Sequence, residues 1–455
     1  MKINLKKLFV TAVIGVGVFV SQPAHAFMGY WYDYNSDWIQ QDIMRRTFEN
    51  HNRVFGNNTN NDSSSGKSSS SKSTGSSKSK SSSSQTSSKP KPAKKAKITF
   101  KSDGSTRGLD YLVNNYPSKQ RGEARTYLKK LQENIALTDT DFREICKIID
   151  DKSYDIVQLG ALLVLISEKS LYPESLTAFV NNILEYSTTF EDETPMIDVC
   201  GTGGDGFKTI NISTAVAFIL GAMGVTVAKH GNRAISSKSG SSDVLDKLGV
   251  PLEKSLATQI EKLHKKNLAF FHAPFFHKLV GEVREVRSHL GIRTVFNILG
   301  PLLHPNTKLK YQLVGLYHEP VHRLYAETLQ LLGREHALVV RGNDGLDEIT
   351  ICDDTKIIEV KGDQILEYTI SPESFGFKRA FHSEIEGGTA EENAEILKRI
   401  LKGEEKSAKF DIVVLNAMFG LYTANVVDHP AKAKEMILEA IESGKVYEFY
   451  ENYVK

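Results

Sequence analysis

The hydrophobic rhythm of the chain changes several times. Leu8–Val20 is apolar apart from Thr11, Gly15 and Gly17, and Lys2, Lys6 and Lys7 precede it. That run is 13 residues long, short of the ~20 that cross a bilayer as a helix. Ala24-His25-Ala26 then places small residues where a signal peptidase reads them, so residues 1–26 are expected to be a secretory signal peptide. Residues 27–56 form a short aromatic segment around Trp31 and Trp38. Residues 57–105 are rich in Asn, Ser and Lys, with no acid between Asp62 and Asp103. Such a stretch buries too little apolar surface to offset its ordering entropy and is expected to be a disordered linker.

Residues 106–190 show helical periodicity and are expected to form a small helical domain. Ala124–Ile135 predicts one helix. Thr138-Asp-Thr-Asp141 caps a second through Phe142, Ile145, Ile148 and Ile149. Ile156–Ile166 is apolar and too long for a strand, and Pro173 opens a helix through Leu176, Phe179, Val180 and Leu184.

Beyond residue 190 short apolar runs alternate with helical stretches. The predicted strands are Met196–Cys200, Val225–Ala228, Leu268–Phe271, Tyr311–Leu316 and Ala337–Val340. The predicted helices are 211–223, 241–248, 255–266, 275–289 and 320–332. Strand–helix alternation predicts an α/β domain over 191–455 with a parallel or mixed sheet. The late helices are assigned either to this domain or back to the helical one.

Composition changes this picture in two places. The chain has 455 residues and a net charge of +2, but residues 1–97 carry 15 Lys+Arg against 5 Asp+Glu, leaving 42 and 50 in the body. The body is therefore acidic, which disfavours nucleic-acid binding through a basic face. The three cysteines, Cys146, Cys200 and Cys352, are far apart, which excludes a disulfide scaffold and a cysteine zinc site.

Four motifs carry candidate chemistry. The first, Asp198-Val-Cys-Gly201-Thr-Gly203-Gly204-Asp205-Gly206-Phe-Lys-Thr209-Ile-Asn211-Ile212-Ser213-Thr214, joins a strand to a helix. Its glycines let main-chain N–H groups approach an anion, and the helix start adds positive potential. It is neither a dinucleotide fingerprint nor a Walker loop, and alone it is compatible with a purely structural turn. The second, Lys229-His230-Gly231-Asn232-Arg233-Ala234-Ile235-Ser236-Ser237-Lys-Ser-Gly-Ser241, gathers cations, hydroxyls and glycines in another strand–helix turn. Two such loops at neighbouring strand ends can face one cleft. The third, Arg284-Glu-Val-Arg287-Ser-His-Leu-Gly-Ile-Arg293-Thr-Val-Phe-Asn297-Ile-Leu-Gly300-Pro301-Leu302, sets Arg284 and Arg287 on one helical face, where a guanidinium fork can grip a carboxylate. In the fourth, Gly342-Asn-Asp-Gly-Leu-Asp347-Glu348, adjacent carboxylates suit Mg2+ bound beside substrate phosphates.

Together, in order and spacing, these motifs resemble the anthranilate phosphoribosyltransferase family, from about residue 125 to the end and including Leu415-Asn416-Ala417. The resemblance implies a small helical domain followed by a phosphoribosyltransferase-like α/β domain, and a homodimer. It implies transfer of the phosphoribosyl group of phosphoribosyl pyrophosphate (PRPP) to anthranilate, with release of pyrophosphate, in tryptophan biosynthesis. By the same resemblance Gly201, Gly204, Asp205, Thr209, Asn211, Ile212, Ser213, Thr214, Lys229–Ser237 and Ser241 hold PRPP. Ser213, Asp347 and Glu348 hold Mg2+. Gly201, Asn232 and Arg287 contact anthranilate, and Lys229, Asp347 and Glu348 are the catalytic group. Lys278 and His304 depart from the family pattern.

Anthranilate's amine is nucleophilic when neutral, so the motifs need no strong base; they need leaving-group neutralisation and positioning. Two rivals stand beside this reading: a pyrimidine-nucleoside-phosphorylase-like enzyme, and a non-catalytic relative that binds nucleic acid. The acidic body and the Asp347-Glu348 pair speak against the second. No nucleic-acid partner and no stable membrane anchor are expected. The substrates belong to the cytoplasm while residues 1–26 predict export; the segment itself favours an exported precursor.

Overall fold

The computed structural model describes residues 124–232 and 240–455. The expected signal peptide, the aromatic segment, the linker, the start of the helical domain and Arg233–Ser237 of the second motif lie outside the described residues. By its contacts the chain divides at residue 99 into two units, and everything described belongs to the second.

Four helices come first: α1 (Arg125–Gln132), α2 (Asp139–Asp150), α3 (Ile156–Lys169) and α4 (Pro173–Leu184). The expected Thr138 cap is present. Thr138 Oγ1 accepts from the Asp141 N–H at 3.3 Å, and Asp141 Oδ2 accepts from the Thr138 N–H at 2.9 Å. A cap of this kind stabilises a helix by about 1 kcal/mol. Phe142 of α2 stacks on Phe179 of α4 at 4.9 Å, and Phe179 meets Phe296 edge-on at 5.7 Å. The apolar stripes of these helices thus merge with the core under the third motif.

Seven strands follow: β1 (Ile197–Gly201), β2 (Val227–Gly231), β3 (Leu268–His272), β4 (Tyr311–Gly315), β5 (His336–Gly342), β6 (Thr355–Lys361) and β7 (Gln364–Ile370). They form one mixed sheet in the order β3-β2-β1-β4-β5-β6-β7. The first five are parallel, and β6 and β7 add an antiparallel hairpin at one edge. The chain leaves β1 towards β2 and β3, then returns to β4 on the other side of β1. That reversal opens a crevice at the carboxyl ends of the central strands, where ligands of open α/β sheets bind.

Helices α5 (Ile212–Ala222), α6 (Ser241–Lys247), α7 (Leu256–Lys266), α8 (Arg284–Leu290) and α9 (His322–Leu331) connect the strands. The single helix expected over 275–289 is instead three short pieces, 273–276, 278–282 and 284–290. The break falls at His277, whose backbone bridges to Ser187 and whose ring bonds the Ser187 hydroxyl at 3.0 Å. The late helices α10 (Ala390–Leu401), α11 (Ala408–Thr423), α12 (Ala433–Glu442) and α13 (Lys445–Val454) build one core with α5 and do not return to α1–α4. Among the described residues no helix is long and apolar enough to cross a membrane.

Candidate active site

The first glycine turn leaves the carboxyl end of β1, and Gly203, Gly204 and Gly206 take positive φ of 65, 86 and 85°. Those angles strain any residue with a Cβ. The turn folds back onto the fourth motif, so that the Gly203 N–H donates to Asp347 Oδ2 at 2.6 Å. Gly201 has no room for a side chain, because a Cβ would sit 2.6 Å from Asp347 Oδ2. Asp205 hydrogen-bonds Asp347 and also takes the Phe207 N–H at 3.1 Å.

Asp347 is buried, and burial with the facing charges of Asp205 and Glu348 raises its pKa well above the usual carboxylate range. Burial raises Asp205 as well. Burial pushes Glu348 up to about 8, while Lys229 and the Ser213 N–H pull the other way. Three carboxyl groups with too little compensating charge mark a place suited to a cation.

Lys229, buried on β2, donates from Nζ to the Val199 carbonyl at 2.5 Å and to Ser213 Oγ at 3.1 Å. It is thereby held between the first motif and Glu348. Asn211 sits at the N-cap position of α5 without a side-chain cap bond, Ile212 points into the core, and Thr214 Oγ1 is buried without a hydrogen-bond partner. Thr209 pairs with Glu386, Ser241 Oγ donates to the Asn232 carbonyl at 3.1 Å, and a Cβ on Gly231 would lie 2.6 Å from Ser241 Oγ. Ser213, Lys229, Asp205, Asp347 and Glu348 are therefore brought together.

His230 is placed differently. Its ring is buried and bonds the Gly300 carbonyl at 3.1 Å and His277 Nε2 at 3.2 Å, so its side chain serves the base of the site. Arg287 is half-buried over the Phe296 ring at 5.6 Å, and burial lowers its pKa. Among the described residues no hydrogen bond joins it to the first two motifs. Arg293 makes that link instead: it donates to the Gly204 carbonyl and lies 4.1 Å over the Tyr317 ring. Of the two departures from the family pattern, Lys278 ion-pairs with Asp150 of α2, and the buried His304 ring bonds the β2 backbone and its own turn.

Sequence reasoning missed three supports. Gly315 ends β4 opposite Gly201, and a Cβ there would lie 1.6 Å from the Asp347 carbonyl oxygen. His382 stacks on Phe207 at 4.6 Å and bonds Asp344 Oδ2 at 3.0 Å, clamping the glycine turn to the acidic one. Asp344, Cys352 and His382 bring ligand-type atoms within 4.8 Å, but the Asp344 oxygens are already filled by the Leu346 N–H and the Thr350 hydroxyl. The third is Asn393, whose Nδ2 donates to Asn211 Oδ1 at 3.0 Å. A hollow of about 780 Å3, between α4 and segments 302–310 and 331–335, is lined by no motif residue apart from Leu302.

The model of the glycosyl transferase family a/b domain matches residues 193–447. An anthranilate phosphoribosyltransferase from Dictyoglomus thermophilum is 42% identical over 328 residues, 72% of this chain and 97% of that relative. The chain belongs to this family. A counterpart from Persephonella marina is 38% identical over 72% of this chain and 97% of its own length. Among solved structures, anthranilate phosphoribosyltransferase from Thermus thermophilus aligns with a TM-score of 0.67 and 35% identity, over 73% of this chain and 98% of that one. The Saccharomyces cerevisiae enzyme in complex with PRPP and Mg aligns with a TM-score of 0.67 and 27% identity, over 73% and 96%. The mixed sheet with a helical N-terminal region is common to the family structures.

Proposed function

We propose that the chain transfers the phosphoribosyl group of PRPP to anthranilate and releases pyrophosphate. The observation that carries this is the convergence of Asp205, Asp347, Glu348, Ser213 and Lys229 around one glycine turn at the switch point of the sheet. The yeast relative solved with PRPP and Mg, and the relatives' shared name, support the substrate assignment.

Main-chain N–H groups of the β1 turn and the side chains of Asn211 and Thr214 bind phosphate oxygens. The unpartnered Thr214 hydroxyl fits that role. The raised carboxyls fit a divalent cation, and Ser213, Asp347 and Glu348 would hold Mg2+. When bound, Mg2+ supplies neutralisation of the departing pyrophosphate. Lys229, fixed by the Val199 carbonyl, adds positive charge beside the same group without a proton transfer. Arg287, desolvated and without an ion-pair partner among the described residues, takes the anthranilate carboxylate and orients the neutral amine. Orientation, rather than base catalysis, then supplies the rate.

The test is product analysis on the full chain, with anthranilate and PRPP in one arm and thymidine and phosphate in the other. Phosphoribosyl anthranilate in the first arm alone is expected; phosphorolysis in the second alone would replace this reading with the phosphorylase one. The same reading makes the protein a homodimer, checked by sedimentation. Export of the precursor, proposed on residues 1–26, is tested by N-terminal sequencing of native material and fractionation.

A further inference from the structure

We infer that Asn393 is a positioning residue: it selects which end of the Asn211 amide faces the phosphoribosyl donor. The inference deepens the donor-binding reading above and rests on it. Asn211 Oδ1 accepts a hydrogen bond from Asn393 Nδ2 at 3.0 Å. The two ends of an amide have nearly the same shape, so such a pair taken alone fits equally well reversed. Here the main chain removes the ambiguity. Asn393 Oδ1 accepts from the Gly388 N–H at 2.8 Å, and a backbone N–H only donates. Asn393 must therefore turn its oxygen to Gly388 and its nitrogen to Asn211. Asn211 must answer with its oxygen. Its own Nδ2, which has no protein partner among the described residues, is left as the free end. A free donor suits a phosphate oxygen, whereas the reversed amide would offer a carbonyl oxygen to an anion.

The surroundings hold this arrangement stiffly. Asn393 is buried on the first turns of α10, and the Thr389–Glu392 capping box fixes the helix start. A Cβ on Gly387 would lie 2.4 Å from Asn393 Oδ1 and 3.0 Å from the Thr209 carbonyl. The same segment also seats the end of the glycine turn: the Gly387 N–H donates to the Lys208 carbonyl at 2.7 Å, and the Ile210 N–H donates to the Ile385 carbonyl at 3.2 Å. Asn393 thus sits on a frame already joined to the motif whose amide it orients.

The experiment uses the full chain and four proteins: wild type, Asn393→Asp, Asn211→Ala and the double variant. Asn393→Asp still accepts from Gly388 but faces Asn211 with an acceptor, so Asn211 must reverse. The KM for PRPP is expected to rise roughly 10- to 100-fold, with the KM for anthranilate within about twofold. In the Asn211→Ala background, Asn393→Asp is expected to add nothing, because residues acting through one another are not additive. Losses that multiply in the double variant, or a rise in both KM values together, overturn the inference in favour of a general packing role. Should Asn393→Asp not fold, Asn211→Asp tests the other end. It keeps the oxygen facing Asn393 and replaces the free donor by an oxygen. An unchanged PRPP KM in that variant overturns the inference, and a raised one with an unchanged melting temperature supports it. Wild-type turnover of PRPP with anthranilate checks the underlying reading separately.

Discussion

Gly315→Ala is a one-atom insertion at a point where main chain meets main chain. A Cβ at this position would lie 1.6 Å from the Asp347 carbonyl oxygen and 2.5 Å from its carbonyl carbon. Ordinary contact starts near 3.4 Å, so the end of β4 or the Asp347 backbone must move by well over an ångström. No change of rotamer relieves the clash, because both atoms belong to the backbone. Overpacking costs about 1–3 kcal/mol of stability. A displacement of ~1 Å at a positioned group costs roughly 100-fold in rate, and Asp347 also holds the Gly203 N–H. The expected outcome is a loss of about 100-fold or more in kcat/KM, followed by the decay of anthranilate fluorescence at saturating PRPP, with a lowered urea midpoint. Gly201→Ala is expected to be milder, because the nearest atom is then the Asp347 carboxylate and not its backbone. Gly281→Ala is the control: it is exposed, with no atom within 4 Å of the added carbon. A Gly315→Ala protein working within threefold of wild type would refute the claim that the end of β4 sets the position of the acidic pair.

Further outcomes follow from the same geometry. Asp347→Asn with Glu348→Gln removes the cation-binding charge and is expected to lower kcat by roughly 100- to 1000-fold or more, measured at saturating Mg2+; turnover as fast as wild type would remove these residues from the mechanism. Arg287→Lys loses a planar fork and is expected to raise the anthranilate KM by roughly tenfold or more, leaving the PRPP KM nearly unchanged. Stability should fall on mild acidification. His277, facing His230 and His304, is held by burial at a pKa of about 3, against ~6.5 for an unfolded histidine. The folded value is the lower one, so the unfolded chain takes the proton first. This ring's contribution is intact above pH ~6.5 and is lost as the pH falls towards the folded value, by about 1.4 kcal/mol at pH ~5.5. Burial lowers His230 and His304 in the same direction. Urea midpoints between neutral pH and mild acid should fall less steeply in His277→Gln than in wild type; equal slopes would exclude the ring from this account.

The five parallel strands were legible because strands covered on both faces read as continuous apolar runs. The β6–β7 hairpin was not named, because β7 has no fully buried residue and its apolar positions are interrupted by Gln364, Glu367 and Thr369, so it does not read as a continuous apolar run. A turn signal was available at Gly362, which takes a φ of 56° between the two strands. The helix break at His277 has no local signal, since its cause is a bridge to Ser187, 90 residues away. The residues with chemistry of their own were visible in the motifs, and most of them meet in space. Gly315, Asn393 and His382 were not, and Arg293 stood in the third motif without its role, because a glycine that makes room or a side chain that latches a distant group acquires its role only from a partner elsewhere in the chain.

Asn416 shows how such a support can still leave a mark. Helix α11 is buried along nearly its whole length and otherwise apolar at its centre, so an amide there needs partners inside the protein. It has them: Oδ1 accepts from the Ile349 N–H at 3.1 Å, and Nδ2 donates to the Ile349 and Ile412 carbonyls at 2.8 and 2.9 Å. Ile349 directly follows Asp347-Glu348, so the amide ties the acidic pair to a rigid helix. Asn393 does the same for Asn211 from the neighbouring helix α10. Removing the Asn416 amide would strand the buried Ile349 N–H, at about 1–3 kcal/mol. Both halves of the site are therefore tethered by side chains of late helices. A lone asparagine in an apolar helical stretch is the sequence signal that points to such a tether, and only the folded chain says which loop it holds.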